Sequence, residues 1–191
     1  METKSVMIVG VGGQGSVLAS KLLGRLLVDE GYDVKVSEVH GMSQRGGSVV
    51  TYVRFGDKVY SPIIEVGEAD YIISFEKLEA ARYLPYLKSD GKIIVNTQQI
   101  DPMPVITGQM DYPAGILNDI SASGASVDAV DALSIAEKAG SSKAVNIVLM
   151  ARLAKHFHIA YDKWIAAIEN TVAPKFIEMN KKAFELGYNC N

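Results

Sequence analysis

Six residues near the start of the chain, Gly10-Val11-Gly12-Gly13-Gln14-Gly15, follow the pattern G-x-G-x-x-G. They lie between an apolar run at residues 5–11 and a segment, residues 16–30, whose leucines repeat at helical spacing. A strand, a glycine turn and a helix in this order open doubly wound α/β folds. The glycines permit a tight turn and let backbone N–H groups approach a phosphate at the start of the helix. We therefore take Gly10, Gly12, Gly13, Gln14 and Gly15 as candidate phosphate contacts; the alternative is that the glycines only allow close packing of the helix on the sheet.

The segments that follow alternate between strand and helix patterns. Strands are predicted at residues 33–39, 71–75, 92–96 and 125–129, and helices at residues 76–83, 113–124 and 131–139. Residues 48–55 and 58–63 are extended runs around Gly56-Asp57, a dipeptide typical of tight turns, and they predict a β-hairpin inserted into the alternation. Residues 97–112 contain Pro102 and Pro104 and are predicted to form a loop.

The pattern from Lys143 onward is helical. Residues 144–154 are apolar on nearly every side, which predicts burial between layers or against a partner, because about 11 residues cannot span a bilayer. The sequence therefore predicts a single domain, residues 1–191, of the α/β class. Its sheet is expected to be doubly wound, mainly parallel and Rossmann-like, with an inserted β-hairpin and a helical C-terminal third.

Composition excludes several classes of function. The 19 Lys and Arg residues against 22 Asp and Glu residues give a net charge of -3, so we expect no nucleic-acid partner, since such binding needs a broad basic face. Cys190 is the single cysteine, which excludes an intrachain disulfide, a multi-cysteine zinc site and an iron–sulfur cluster held by this chain alone. The first apolar stretch is too short for a signal peptide or a membrane span, so a cytoplasmic protein is expected.

Residues 40–47 form the second informative segment. They are His40, Gly41, Met42, Ser43, Gln44, Arg45, Gly46 and Gly47. Arg45 is the best candidate for a polar anchor, because a guanidinium grips a carboxylate or phosphate at two points and also suits protein interfaces. We predict that this loop contacts a substrate or a partner subunit; the alternative is a solvated connection between strands.

Three further residues carry weaker signals. Glu38 lies near the end of the second predicted strand, where NAD-binding proteins place an acidic residue for the ribose. His156 and His158 fall in a predicted helix, where residues two apart face different sides, so we expect them at the surface and predict no metal site.

Two strings together resemble a known family. Residues 10–15, Gly-Val-Gly-Gly-Gln-Gly, and residues 37–49, Ser-Glu-Val-His-Gly-Met-Ser-Gln-Arg-Gly-Gly-Ser-Val, are similar to the gamma-type subunits of 2-oxoacid:ferredoxin oxidoreductases. The likeness continues through residues 79–85, the helix around Asn146 and residues 180–187, so it covers essentially the whole chain. The His-Gly-Met-x-Gln-Arg-Gly-Gly form resembles the members that act on indolepyruvate. One departure is Ala151, where the family often has glycine.

The resemblance implies a role in the oxidative decarboxylation of an aryl 2-oxoacid such as indolepyruvate with coenzyme A, giving acyl-CoA, CO₂ and reduced ferredoxin. It implies that thiamine diphosphate, magnesium and the iron–sulfur clusters belong to a larger alpha subunit, since Gly56-Asp57 is followed by Lys58 and so lacks a thiamine-type Gly-Asp-Gly motif. This chain would then hold no cofactor and no catalytic residue and would be inactive alone. Its glycine turn and residues 40–47 would shape the entrance for the substrate or for coenzyme A.

Two other classes of function stay open. A free-standing NAD(P)-binding oxidoreductase is favoured by the glycine pattern and by Glu38. An adenylyltransferase of the ubiquitin-activating-like kind is suggested by Gly-x-Gly-Gly-x-Gly-Ser at residues 10–16. That class is expected to carry a cluster of acidic, Asn and Arg residues after the second strand. In this chain only Gln44 and Arg45 resemble such a cluster.

Overall fold

The computed structural model describes residues 2–40 and 47–190. Its strands are β1 (Lys4–Val11), β2 (Asp33–His40), β3 (Ser48–Gly56), β4 (Ala69–Ser74), β5 (Leu87–Asn96) and β6 (Ser126–Val130). They form one sheet in the order β2-β3-β1-β4-β5-β6, in which β3 alone of the described strands runs against the others. The predicted mainly parallel sheet is confirmed.

Helices cover both faces of this sheet. They are α1 (Ser16–Asp29), α2 (Lys77–Tyr83), α3 (Met103–Ile106), α4 (Ile116–Ala122), α5 (Ala132–Ala139), α6 (Val145–Ala154), α7 (Tyr161–Thr171) and α8 (Ile177–Asn189). One face packs against α1, α5, α6, α7 and α8, and the other packs against α2 and α4. This arrangement confirms the doubly wound α/β class and the helical C-terminal third.

Strand β1 lies at the centre of the core. Val6 and Ile8 point to the face that carries α1, while Met7 and Val9 point to the face that carries α2, and all four are fully buried. A strand covered on both faces needs a continuous apolar run, because successive side chains alternate between the faces. Each such side chain contributes about 1.5–3 kcal/mol on burial.

Strand β3 corrects the predicted hairpin. Residues 48–55 do form a strand, but residues 58–63 do not pair with it; they follow an irregular path, and the Arg54 Nη1 atom donates to the Ile63 carbonyl oxygen at 2.7 Å. Instead, β3 pairs antiparallel with β1 on one side and with β2 on the other. Strand β2 is therefore not the neighbour of β1, and the predicted βαβ unit is interrupted.

Strand β5 and the segment after it also differ from the prediction. Strand β5 begins at Leu87, and residues 88–91 bulge out of it, because Ala69 pairs with Leu87 whereas Tyr71 pairs with Lys92. Gly91 makes the bulge possible: a Cβ atom there would lie 3.0 Å from the Ala69 carbonyl oxygen. The predicted loop at residues 97–112 contains the single helical turn α3.

Helix α6 is buried by the chain itself. All of its 10 residues are buried, and it packs against α8, α5, α1 and β5. Its apolar surface is thus covered between layers, and no partner is needed to cover it. The close approach to α8 depends on Gly187, where a Cβ atom would lie 3.0 Å from the Val148 carbonyl oxygen and 3.1 Å from the Ala151 Cβ atom. The glycine of this contact therefore lies on α8, which explains why Ala151 is tolerated on α6.

The two nearby histidines do not lie in a helix. Because α6 ends at Ala154, His156 and His158 belong to the connection to α7. His158 is exposed as expected, but His156 is half-buried, with its Nε2 atom 3.6 Å from Asp128 Oδ2. Across residues 2–40 and 47–190, His, Cys, Asp and Glu side chains form no group of three that could hold a metal ion. In the same residues no helix has the length and apolar character to cross a membrane.

Candidate functional site

The carboxyl ends of the parallel strands meet at one edge of the sheet, which we call the carboxyl edge. Strands β1, β4 and β5 end there at Val11, Ser74 and Asn96. Helix α1, which follows β1, packs on one face of the sheet, and α2, which follows β4, packs on the other. The neighbouring strands β1 and β4 therefore flank the point where the connections diverge, and open α/β sheets bind their ligands in the crevice at this point.

The predicted glycine turn lies at this crevice. Gly13 and Gly15 have φ values of 96° and 89°, a region that favours glycine. Gly10 is required for a different reason, because a Cβ atom there would lie 2.9 Å from both Gln14 Oε1 and Phe75 Cβ. The Asn146 Nδ2 atom donates to the Gly15 carbonyl oxygen at 3.3 Å, which ties the turn to the start of α6.

The side chain of Gln14 spans the crevice between β1 and β4. Its Oε1 atom accepts a hydrogen bond from the Val11 amide at 2.7 Å, and its Nε2 atom donates to the Phe75 carbonyl oxygen at 3.0 Å and to Gln98 Oε1 at 3.2 Å. Asn96 Nδ2 donates to the same two acceptors, at 3.1 and 3.3 Å. Both ends of the Gln14 carboxamide are thus used within the protein.

What remains for a ligand at the turn is the start of α1. Gly15 caps this helix without a side-chain hydrogen bond, and no acidic residue lies in its first turn. The first N–H groups of a helix lack partners inside the helix and attract anions. The first N–H groups of α1 can therefore contact a phosphate, which stays a prediction. The Gln14 amide is already used, since it donates to the Val11 carbonyl oxygen at 3.3 Å.

The turn also contacts the end of the second predicted segment. The Gly12 amide donates to the Gly47 carbonyl oxygen at 3.0 Å, and the backbone of His40 ends β2 opposite Val49. Two segments that are distant in the sequence pattern thus meet at the carboxyl edge. Gly41, Met42, Ser43, Gln44, Arg45 and Gly46, together with the His40 side chain, lie outside the described residues, so their roles stay predictions.

Helix α2 holds the residue that follows this segment. The Ser48 hydroxyl donates to Glu79 Oε2 and lies 3.3 Å from the Tyr83 hydroxyl. The Glu79 side chain is only 6% exposed and also accepts from Arg82 Nε at 3.2 Å. These contacts join Ser48, the residue after the 40–47 segment, to residues 79–85.

Sequence reasoning missed a buried carboxylate next to this helix. Glu76 is 1% exposed and accepts hydrogen bonds from the Glu79 amide at 3.0 Å, the Ile100 amide at 3.2 Å and the Tyr112 hydroxyl at 2.5 Å. Burial, and then the bond to Glu76, raise the pKa of Tyr112. A sequence signal was present, since Glu76 and Glu79 have the spacing of a helix cap directly after β4.

Glu38 does not match the role of a ribose ligand. Its carboxylate accepts a hydrogen bond at 3.0 Å from the hydroxyl of Ser20, a buried residue of α1. Strand β3 lies between β1 and β2, which places Glu38 about 10 Å from the glycine turn in the strand-to-strand direction, twice the ordinary spacing. The geometry thus removes the second half of the NAD(P) pattern. The Gln44 and Arg45 signal for an adenylyltransferase lies outside the described residues.

An apolar surface lies on the segment that leaves β5. Met103, Ile106 and Met110, on and after α3, are 63%, 66% and 65% exposed. Exposed apolar side chains grouped in this way are typical of protein interfaces, in which methionine is enriched. We call these three residues the α3 surface.

Comparison with known proteins places the whole chain in one group. Residues 5–190 match the family model described as "Pyruvate ferredoxin/flavodoxin oxidoreductase". The chain is 41% identical to the indolepyruvate oxidoreductase subunit IorB of Thermococcus kodakarensis, over 98% of this chain and 95% of that protein. It is also 41% identical to the corresponding subunit of Pyrococcus horikoshii, with the same coverage. The gamma subunit of the keto/oxoacid ferredoxin oxidoreductase of Geobacter sulfurreducens has the same fold, with a TM-score of 0.71, 22% identity, and coverage of 97% of this chain and 96% of that one.

Proposed function

Because the chain belongs to the pyruvate ferredoxin/flavodoxin oxidoreductase family, we propose that it is the non-thiamine subunit of an oxidoreductase for aryl 2-oxoacids such as indolepyruvate. In this reaction the oxoacid loses CO₂, its acyl group passes to the thiol of coenzyme A, and two electrons pass to ferredoxin. The hydrogen bond from the Gly12 amide to the Gly47 carbonyl oxygen is the observation that supports this proposal most. It joins, at one edge, the two strings that the chain shares with the family.

The cofactors of the reaction belong, in this proposal, to a larger subunit. An iron–sulfur cluster needs several thiolates, and the chain has only Cys190, which lies against Arg152 and the end of α8. Thiamine diphosphate, with magnesium, would supply the stabilised acyl carbanion equivalent, and the clusters would take up its electrons. The residues of this chain then act by position: the glycine turn and residues 40–47 border the space in which substrate or coenzyme A enters.

A partner also has a surface on which to bind. Residues 144–154 offer no surface to a partner, because α6 is buried inside the chain. The α3 surface offers a replacement, since it follows β5 at the carboxyl edge and is exposed. Burial of this apolar surface in a complex would contribute to the affinity between the subunits.

Reconstitution tests this proposal directly. We expect the purified chain alone to be colourless and to give no 2-oxoacid oxidation with a viologen acceptor. Addition of the larger subunit should give one complex in size-exclusion chromatography, a higher Tm and indolepyruvate-dependent, coenzyme A-dependent reduction of the acceptor. Iron in stoichiometric amount in the lone chain, turnover without the partner, or separate elution at micromolar concentration would contradict it. A nicotinamide fluorescence titration of the lone chain tests the NAD(P) alternative at the same time.

Arg45 is expected to act at the subunit interface or on an anionic group of a substrate. Arg45→Lys keeps the charge but loses the planar two-point grip, so it should lower activity, and Arg45→Ala should lower it further. Losing a charge-assisted contact costs about 1.5–3 kcal/mol, which corresponds to roughly tenfold to a hundredfold in affinity or in kcat/KM. Subunit affinity and steady-state kinetics separate the two roles.

Arg25→Ala provides the matched control for Arg45. Arg25 is an exposed arginine of α1 that pairs with Asp29 at 2.8 Å within the same helix, so its loss should change neither complex affinity nor kinetics. If Arg45→Ala also leaves affinity, kcat and both KM values within about twofold of the wild type, the solvated-connection interpretation of residues 40–47 is correct.

A further inference from the structure

A cavity lies at the edge of the sheet opposite the carboxyl edge, where the parallel strands begin. It has two parts, of about 100 Å³ and about 320 Å³, which share Lys4, Tyr71 and His156 as walls. None of these residues takes part in the glycine turn or in the contacts of residues 40–47. The cavity is therefore separate from the surface proposed for the partner and the substrate.

The smaller part is lined mainly by aromatic side chains. Phe157 stacks on Phe55 with ring centroids 5.7 Å apart and lies 5.2 Å from the ring of Tyr71, while Tyr32 meets Phe55 edge-on at 5.4 Å. The connection that carries Phe157 is held in place because the Tyr71 hydroxyl donates to the His156 carbonyl oxygen at 3.0 Å. Aromatic walls of this kind favour another flat ring over an aliphatic group, since ring edges and faces attract each other.

The larger part is built around a carboxylate that is already satisfied. Asp70 accepts from Lys4 Nζ and Lys88 Nζ, both at 2.9 Å, and from the Ser5 amide at 2.8 Å. Burial alone would raise the pKa of Asp70, but these three hydrogen bonds outweigh it and keep the pKa below its ordinary value. Two ammonium groups thus share one carboxylate, and of the two lysines only Lys4 lines the cavity.

Lys92 adds a further positive charge. It is half-buried beside His156, and among the described residues its ammonium group has no ion pair or hydrogen bond. Asp90, the other acid of this wall, is exposed to water. The bulge at residues 88–91 creates this arrangement, because it brings Lys88 onto Asp70 and leaves Lys92 facing the cavity. Bulges of this kind commonly re-aim side chains at sites of function.

From this juxtaposition we propose that the cavity binds a small aromatic carboxylate. Its ring lies against Phe55 and Phe157, and its carboxylate meets the Lys92 ammonium beside His156. Burial, and the nearby charge of Lys92, lower the pKa of His156, which favours the neutral imidazole over the charged one. A ligand of this class satisfies both parts of the cavity at once, which neither an inorganic anion nor an uncharged ring does.

Calorimetric titration of the full chain with phenylacetate tests the site. We expect saturable binding of phenylacetate, with acetate and benzyl alcohol each at least about tenfold weaker because each fills one part only. Lys92→Gln should weaken phenylacetate binding by about tenfold or more, and Lys92→Arg should retain it. In NMR spectra, nuclear Overhauser contacts should join the phenyl protons to Phe157 and Ile159, which line the smaller part.

Lys182→Gln is the matched control, because Lys182 is exposed on α8 and lies outside both parts of the cavity. It should leave phenylacetate affinity within about twofold of the wild type. Several results would overturn the proposal: no phenylacetate binding up to about 20 mM, equal affinity for acetate or inorganic phosphate, or no effect of Lys92→Gln in a variant whose Tm is unchanged.

Discussion

Asp128→Ala is expected to lower the free energy of unfolding by about 3–5 kcal/mol, because it leaves the buried guanidinium of Arg152 without its counter-charge. The two side chains are 10% and 9% exposed. Arg152 donates twice from Nε to the carboxylate, at 3.0 and 3.1 Å, and once from Nη2 at 2.7 Å. Its Nη1 atom holds the Cys190 carbonyl oxygen, so the variant should also loosen the end of the chain. Urea denaturation measures the loss.

Two controls isolate the cause. Asp162→Ala removes an exposed acid at the start of α7 and should change the free energy of unfolding by less than about 0.5 kcal/mol. The double variant Asp128→Leu, Arg152→Met removes both charges and should recover most of the lost stability, since an apolar pair of similar volume commonly replaces a buried ion pair at little cost. A loss below about 1 kcal/mol for Asp128→Ala would show that water reaches Arg152 and solvates it.

Glu76→Ala is expected to cost about 3 kcal/mol. The substitution removes the cap of α2 and leaves the part-buried Ile100 amide without its acceptor. The Tyr112 hydroxyl also loses its hydrogen-bond acceptor. Hydrogen bonds to a charged group contribute about 1.5–3 kcal/mol each, and bonds that share one acceptor do not add fully. Because Ile100 and Tyr112 flank the α3 surface along the chain, the variant should also weaken the complex with the larger subunit.

Glu178→Ala is the control for Glu76. Its side chain is 88% exposed and lies 3.5 Å from Lys181 one turn away, so its removal should change stability by less than about 0.5 kcal/mol. Thermal unfolding and subunit affinity are measured for both variants. If Glu76→Ala unfolds at the wild-type temperature, the hydrogen bonds of Glu76 are not what orders this part of the carboxyl edge.

Most of the helices and strands could be predicted from local sequence patterns. The apolar run ending at Val11 and the leucine spacing of residues 16–30 predicted β1 and α1 within one residue at each boundary, because both elements satisfy their hydrogen bonds or bury their side chains in the manner that the pattern dictates. The capping pair Asp131 and Gly140 likewise bounds α5, where the Ser134 amide donates to Asp131 Oδ1 at 3.0 Å.

The order in which the strands pair could not be predicted from those patterns. Residues 48–55 have the alternation of a strand, but nothing in their sequence specifies insertion between β1 and β2, and the Gly56-Asp57 dipeptide favoured a local hairpin that does not form. The bulge before Lys92 was missed for the same reason, since it depends on the fit of Gly91 against Ala69 of another strand.

The candidate site divides in a similar way. The glycines of the turn were identifiable from their spacing, and so was the string that contains Gly47. Their contact, and the carboxamide network of Gln14, Asn96 and Gln98 that fills the crevice, arise only when three strands end side by side. Asn and Gln residues soon after a strand are too common in sequences to predict such a network.

The burial of α6 between β5 and α8 has a consequence for how opening of the molecule is observed. A helix covered on all sides cannot expose its amide protons through fraying or through departure of one neighbour, so these protons exchange with solvent only when the whole domain opens. Hydrogen–deuterium exchange at the centre of α6, around Leu149, therefore reports the global free energy of opening without any denaturant. The same amides read in the free chain and in the complex would measure how strongly subunit assembly suppresses that opening.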